Sequence, residues 1–208
     1  LDGYSVLILA DQRILSSDEC DAIRAFVFGG GTLIATCETG TRDENNKALP
    51  SFALADVFGV DYVETSDTSL GSLRVGEEQE TTGLPVTDVP SIGTYVRVKL
   101  NGAETLMDLV GPYEGVKTGC PPPAVNADGP GITMHRHGKG IAVYCAGRIF
   151  DAYYKEDIPL LRKLALWTLD RAYPVESRAI TLRNAPINVE LFYNARNADR
   201  FVHLINFS

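Results

Sequence analysis

Cys37 is the residue whose type and position are most typical of a catalytic nucleophile. It directly follows TLIAT at residues 32–36, a short apolar stretch with the pattern of a buried strand. The carboxyl ends of such strands are where open α/β sheets bind ligands and where nucleophile elbows occur. A cysteine nucleophile also needs a histidine base and an orienting carboxylate. The flanking sequence ATCETG lacks the glycines that allow the strained turn of an elbow, so a small buried or crevice-lining cysteine is the favoured interpretation.

The three histidines give Cys37 no evident base. His135 and His137 precede a Gly-Lys-Gly turn, which puts them at the wrong end of the next strand to meet a nucleophile at the carboxyl ends. His203 lies in a separate C-terminal β region. His135 and His137 share one side of a strand, but no cysteine or carboxylate accompanies them as a further metal ligand. We expect both to be solvated side chains at a sheet edge, and we expect no metal site.

Charged residues surround the expected crevice. Asp11 ends the first predicted strand, and Glu38 opens an acidic loop that also contains Arg42. Paired carboxylates are the groups that glycoside hydrolysis uses, but a hydrated loop with local ion pairs explains these residues more simply. If the crevice binds a ligand, we expect Glu38, Arg42, Arg148 and Cys37 to line it.

Composition and spacing exclude several other functions. The net charge of −8, without a basic cluster, argues against nucleic acid and anionic membranes as partners. No apolar run approaches the ~18 residues that a membrane-spanning helix needs, which predicts a soluble protein. The sequence does not indicate its cellular compartment. The glycines at residues 29–31 precede a strand, whereas a dinucleotide-binding fingerprint follows one. The four cysteines show no CxxC spacing, and we expect no cofactor.

The first 36 residues predict a strand, a helix and a second strand. Residues 4–10 (YSVLILA) are nearly continuously apolar, as in a parallel strand buried on both faces. Ser16 is a good N-cap, and Glu19 completes a capping box. The glycines at residues 29–31 end the helix before the strand at residues 32–36. Such a βαβ unit has parallel strands and a right-handed crossover.

The middle of the chain has a weaker pattern. Residues 52–58 predict a short helix that ends at Gly59, and residues 95–100 alternate as a half-exposed strand. Residues 61–90 carry little core signal. Residues 101–131 are rich in proline and glycine and predict an irregular connection.

Order returns in the last third of the chain. Residues 132–137 and 141–146 flank the Gly-Lys-Gly turn and predict a hairpin. Residues 158–173 predict the longest helix, ended by Pro174. Strands are then predicted at 180–183, 189–194 and 201–207, the last two as an antiparallel hairpin. The chain starts almost directly before a strand, so we expect it to be an excised piece of a longer polypeptide.

Several of these segments resemble one known family. The resemblance is carried by DGYSVLILADQRILSSDECDAIRAFVFGGGTLIATCETGTRDE at residues 2–44, FALADVFGVDYV at 52–63, HGKGIAVYCAGRIFDAYY at 137–154 and PLLRKLALWTL at 159–169. Together these segments resemble the β-galactosidase trimerisation domain of family 42-like glycoside hydrolases. The segments APINVELFYN and RFVHLINFS resemble the first strands of the β-sandwich that follows this domain.

The resemblance implies an α/β fold of the flavodoxin-like, class I glutamine amidotransferase-like kind. That fold has a parallel sheet with helices on both faces, followed here by a short C-terminal antiparallel β segment. Residues 1–176 then form the trimerisation-type domain, and residues 177–208 start the sandwich. The implied catalytic carboxylates belong to a TIM barrel that this chain does not contain.

Two functions follow as expectations. The first is a non-catalytic accessory and oligomerisation domain of a larger β-galactosidase-like glycoside hydrolase. Its partners are further copies of the parent, often in a trimer, and the carbohydrate is bound in the parent's barrel. The alternative is an active amidohydrolase or glutaminase that uses Cys37.

Overall fold

A computed structural model of the chain describes residues 1–66, 68, 70–76, 84–113, 122–182 and 189–206. The chain divides into two compact units, Leu1–Ala172 and Tyr173–Ser208. The strands of the first unit are β1 (Val6–Leu9), β2 (Thr32–Thr36), β3 (Val60–Thr65), β4 (Leu70–Arg74), β5 (Asp88–Ile92), β6 (Val96–Leu100), β7 (Glu104–Val110), β8 (Gly129–His137) and β9 (Gly140–Cys145). Its helices are α1 (Ser17–Phe28), α2 (Ala55–Phe58), α3 (Ile149–Glu156) and α4 (Pro159–Ala172).

The main sheet of the described residues has seven strands in the order β1-β2-β9-β8-β7-β4-β5. β1, β2 and β9 run parallel, whereas each later neighbour in the order is antiparallel. The predicted α/β class is confirmed, but the sheet is mixed instead of parallel. The physical reason is connection length: β8 and β9 are joined by a tight turn, and such a turn links only antiparallel neighbours. β3 and β6 pair separately in an antiparallel ribbon.

The N-terminal βαβ unit is confirmed. Ser16 caps α1, and its side chain and that of Glu19 form the predicted reciprocal capping box. β2 is buried along its whole length. The prediction that the first strand is buried on both faces is wrong, because β1 is the outermost strand of the described sheet, and Ile8 is 45% exposed.

The segment predicted to have little core signal contains three strands. β3, β4 and β5 fall in residues 60–92, and β7 and the start of β8 fall in the predicted irregular connection. Leu73, Val89 and Leu109 of these strands are fully buried. Pro90 weakened the strand pattern in the sequence. It is tolerated in β5 because β5 is an edge strand of the described sheet, where a missing backbone N–H is not costly.

The predicted hairpins and the predicted helix ends at Gly59 and Pro174 are confirmed. The β8–β9 hairpin, α2 ending at Gly59, and α4 ending before Pro174 all occur as expected. In the second unit, β10 (Val189–Arg196) and β11 (Asp199–Asn206) form the predicted antiparallel hairpin. A 3-10 turn at Val175–Ser177 precedes it. The strand predicted at 180–183 is wrong for residues 180–182, which have no regular structure, and residue 183 lies outside the described residues.

Candidate functional site

The candidate site is the edge of the sheet at which the three parallel strands end. Asp11 follows β1, Cys37 follows β2, and Arg148 follows β9. Because parallel strands present their carboxyl ends at one edge, residues that are far apart in sequence meet there. The guanidinium of Arg148 donates to the carboxylate of Asp11 at 2.5 Å across 137 positions of the chain.

Cys37 shares one backbone feature with the nucleophile of an elbow. Its φ is +50°, in the left-handed region that non-glycine residues seldom adopt. Hydrogen bonds hold it on both sides: its N–H donates to the Cys145 carbonyl at 2.8 Å, and its own carbonyl accepts from the Tyr144 hydroxyl at 2.7 Å. Its thiol donates to the Thr94 carbonyl at 3.5 Å. The flanking glycines judged necessary from the sequence are therefore not needed for this conformation.

Asp11 is the central acceptor of the site. Its side chain is only 8% exposed, and its φ is +56°. One carboxylate oxygen, Oδ1, accepts the backbone N–H of Glu38 at 3.0 Å. The other, Oδ2, accepts Arg148, and the backbone N–H of Asp11 donates to the Thr36 hydroxyl at 3.0 Å. Asp11 thus ties together the ends of all three parallel strands.

Glu38 completes an alternating chain of charges. Its Oε2 lies 2.5 Å from Nη2 of Arg13, and its Oε1 accepts the Thr65 hydroxyl at 3.2 Å. Nε of the same arginine lies 3.6 Å from Oδ2 of Asp11. Two carboxylates and two guanidinium groups therefore neutralise one another within the site.

The four residues predicted to line the crevice do not all meet. Cys37, Glu38 and Arg148 come together, but Arg42 points away, since its guanidinium donates to the Asn46 carbonyl at 3.0 Å. Arg13, which was not among the predicted site residues, lies beside Glu38 where Arg42 was expected. The backbone of Arg42 forms an isolated parallel bridge with Ile14, which lies between β1 and α1. The only sequence signal for Arg13 is its place two residues after Asp11.

The environment of Cys37 does not favour a thiolate. Burial, which is the largest cause, and the negative charges of Asp11 and Glu38 together raise the pKa of the Cys37 thiol to about 12, against the opposing effect of Arg148. A nucleophilic cysteine needs the opposite arrangement, with a positive neighbour dominant and the thiol partly exposed. Cys37 is fully buried.

No described histidine of the first unit reaches Cys37. On β9, His135 lies opposite Ala142, whereas the backbone of Cys37 is hydrogen-bonded to Cys145. Ala142 and Cys145 are three residues apart. At about 3.3 Å per residue this offset is ~10 Å along the strand. The His135 ring Nδ1 lies 2.9 Å from the Val57 carbonyl. The expectation of a solvated edge histidine is wrong here, because β8 lies between β7 and β9 and His135 is half-buried.

Three potential metal ligands meet in the site. A carboxylate oxygen from each of Asp11 and Glu38 and the Cys37 sulfur lie within 4.8 Å of one another. Both carboxylates already accept arginine, and the thiol is held neutral by burial. A divalent cation would have to displace two guanidinium groups and deprotonate the thiol, so the donor set does not fit a metal.

Alkaline pH is expected to unfold the protein through its buried thiols. Burial raises the pKa of Cys37 and of Cys145 from 9.0 to about 12. The folded state therefore favours the neutral thiols. Their contribution to stability is complete below pH 9 and is lost as the pH rises from 9 to about 12, at about 1.4 kcal/mol per pH unit for each thiol.

Urea unfolding at a series of pH values, followed by circular dichroism, measures this loss. Cys37→Ala should remove the pH-dependent contribution of one thiol. The free energy of unfolding of this variant should therefore fall less steeply above pH 9 than that of the wild type. Equal slopes for the two proteins would contradict a buried neutral Cys37.

No helix in the described part of the chain is both long and apolar enough to cross a membrane.

Comparison with known proteins identifies relatives of much greater length. The β-galactosidase BglY of Alicyclobacillus acidocaldarius is 26% identical over 221 aligned residues, which cover the whole chain but 28% of BglY. Among solved structures, a β-galactosidase from Rahnella sp. R3 has a TM-score of 0.72 at 19% identity and covers 100% of this chain and 28% of its own. An α-L-fucosidase isoenzyme 2 from Paenibacillus thiaminolyticus has a TM-score of 0.75 at 21% identity, and the match covers 99% of this chain and 30% of the fucosidase chain. At these identities the solved structures show a shared fold.

A family model gives the most specific match. The model of the β-galactosidase trimerisation domain matches residues 1–167, which include every element of the main sheet and most of α4. This confirms the resemblance seen in the sequence segments. The chain belongs to the β-galactosidase trimerisation domain family.

Proposed function

We propose that this chain is the non-catalytic oligomerisation domain of a larger β-galactosidase-like glycoside hydrolase. The observation that carries the proposal is the family match over residues 1–167. The chain spans 28% of the length of its curated relative, so the catalytic carboxylates, the carbohydrate substrate and the partner subunits belong to the parent protein. A fucosidase shares the fold, and the fold therefore does not specify the sugar.

The site at Cys37 supports an accessory role over an amidohydrolase. Its thiol is buried with a raised pKa, its carboxylates are paired with arginines, and no described histidine of the first unit is within reach. In this proposal Cys37, Glu38 and Arg148 hold strand ends together and bind no substrate. Their arrangement on three parallel strands fits descent from a flavodoxin-like, class I glutamine amidotransferase-like fold. Residues 1–176 then form that domain, and residues 177–208 begin the β-sandwich.

The exposed side of α3 is our candidate for the subunit contact. Tyr154 is 87% exposed, whereas the neighbouring Phe150 and Tyr153 are half-buried and pack against the core. Large aromatic side chains are enriched at the energetic centres of interfaces. The exposed ring of Tyr154 could therefore be buried by a partner subunit, next to the half-buried rings of Phe150 and Tyr153.

Association of the chain tests this proposal. Light scattering of the purified chain over a wide concentration range should show species of three times its 22.6 kDa mass. Tyr154→Ser should weaken that association by about tenfold or more. The matched control is Val125→Ser, which removes a 79% exposed apolar side chain elsewhere. A chain that stays monomeric at the highest concentration would remove the oligomerisation claim for this chain, and equal effects of the two variants would remove Tyr154 from the contact.

A further inference from the structure

Two hydrogen-bond donors and one further guanidinium group, from separate parts of the chain, converge on the carboxylate of Asp11. The backbone N–H of Glu38 reaches Oδ1 at 3.0 Å, the guanidinium of Arg148 reaches Oδ2 at 2.5 Å, and Nε of Arg13 lies 3.6 Å from Oδ2. Convergent N–H and guanidinium donors are how proteins bind carboxylates and other oxyanions. The Asp11 side chain is 8% exposed, so it lies within the site as a bound anion would.

The Glu38 N–H has a particular position relative to Cys37. In nucleophile-elbow enzymes, the backbone N–H of the residue after the nucleophile donates to the oxyanion of the reaction. Cys37 has the elbow's left-handed φ, and the residue after it is Glu38. Its N–H is engaged by Asp11, so the donor that a substrate oxyanion would use is already occupied.

The backbone of Asp11 fixes its carboxylate in the site. Aspartate is among the few non-glycine residues that tolerate a positive φ, and here φ is +56°. The Thr36 hydroxyl accepts the Asp11 N–H at 3.0 Å, which anchors this strained residue to the end of β2. The carboxylate is thus presented by a loop residue whose backbone is hydrogen-bonded to the end of the neighbouring strand.

We infer that Asp11 is an internal ligand that closes an anion-binding site formed by the Glu38 N–H, Arg148 and Arg13. Its two oxygens take donors from different strands, which is the arrangement for a planar monocarboxylate. Once the Asp11 carboxylate is removed, the same donors bind a small free monocarboxylate such as acetate. This inference concerns the residues at the strand ends of the chain itself and does not depend on the proposed oligomerisation.

Two substitutions separate the charge of Asp11 from the space that it fills. Asp11→Gly removes the side chain and suits the positive φ, so it leaves a vacant space beside the donors. Asp11→Asn also removes the charge but fills the space with an amide of the same shape. Thermal unfolding of both variants and of the wild type is measured in sodium acetate and in sodium chloride of equal ionic strength.

Acetate is expected to raise the unfolding temperature of Asp11→Gly alone. At a tenfold excess of acetate over its dissociation constant, the rise relative to chloride is about 3–5 °C. The wild type and Asp11→Asn should shift by less than about 1 °C, because their sites are filled. If Asp11→Gly does not stay folded in chloride, recovery of the native fluorescence of Trp167 after refolding in acetate or in chloride makes the same comparison.

Two results would overturn the inference. The first is an Asp11→Gly protein whose stability or refolding yield is the same in acetate and in chloride, since the donors would then not form a carboxylate site. The second is an equal acetate response in Asp11→Asn, which would put the acetate effect outside the space that Asp11 occupies.

Discussion

Replacing Tyr144 by alanine is expected to lower the free energy of unfolding by about 3–5 kcal/mol. Tyr144 on β9 is fully buried, and its ring packs against Phe52 and Phe58 with centroids 5.1 and 5.4 Å away. Alanine would leave a cavity between β9 and the segment that carries α2. It would also remove the hydrogen bond to the Cys37 carbonyl.

Two further variants divide this effect into its parts. Tyr144→Phe keeps the ring but leaves the Cys37 carbonyl without its hydroxyl donor, at a cost of about 1–2 kcal/mol. Tyr4→Ala removes a tyrosine ring that is 71% exposed and should change stability by less than about 0.5 kcal/mol. Urea unfolding followed by Trp167 fluorescence measures all three. A loss for Tyr144→Ala no larger than that for Tyr4→Ala would show that the aromatic cluster is not part of the stabilising core.

Replacing Gly140 by alanine is expected to lower the free energy of unfolding by about 3 kcal/mol. Gly140 begins β9, directly after the hairpin turn. A Cβ on this residue would overlap the carbonyl oxygens of Val27 and Gly31. Both contacts are backbone atoms, one in the last turn of α1 and one directly before β2, so no side-chain rotation can relieve the overlap. The hairpin and the helix would have to separate.

Gly29→Ala is the matched control for Gly140→Ala. Gly29 caps the same end of α1 with a helical φ of −72°, and an added Cβ would lie 3.2 Å from the Ala25 carbonyl. Its replacement should cost less than about 1 kcal/mol. Urea unfolding of the two variants tests the contact between hairpin and helix. Similar stabilities would mean that the close approach at Gly140 is not a constraint on the fold.

The candidate site was only partly predictable from the sequence. Cys37, Glu38 and Arg148 could be placed at one edge because each follows a strand whose apolar pattern was recognisable. Arg42 does not reach this cluster, whereas Arg13 does. The sequence could not distinguish the two, because each arginine lies in a loop from which its long side chain could reach Glu38. The path of the loop decides between them, and it depends on the pairing of Arg42 with Ile14.

Local signals in the sequence determined the βαβ unit, the β8–β9 hairpin and the end of α4. A capping box, a glycine turn and a proline act within a few residues, so their effects do not depend on the rest of the fold. Tertiary structure alone decided that β4, β5 and β7 join the main sheet, and that Asp11 meets Arg148. Strands interrupted by proline or glycine gain their stability from neighbours distant in the chain. The chemistry at Cys37 was settled in the same way, by burial and by the charges of residues that only the fold brings to it.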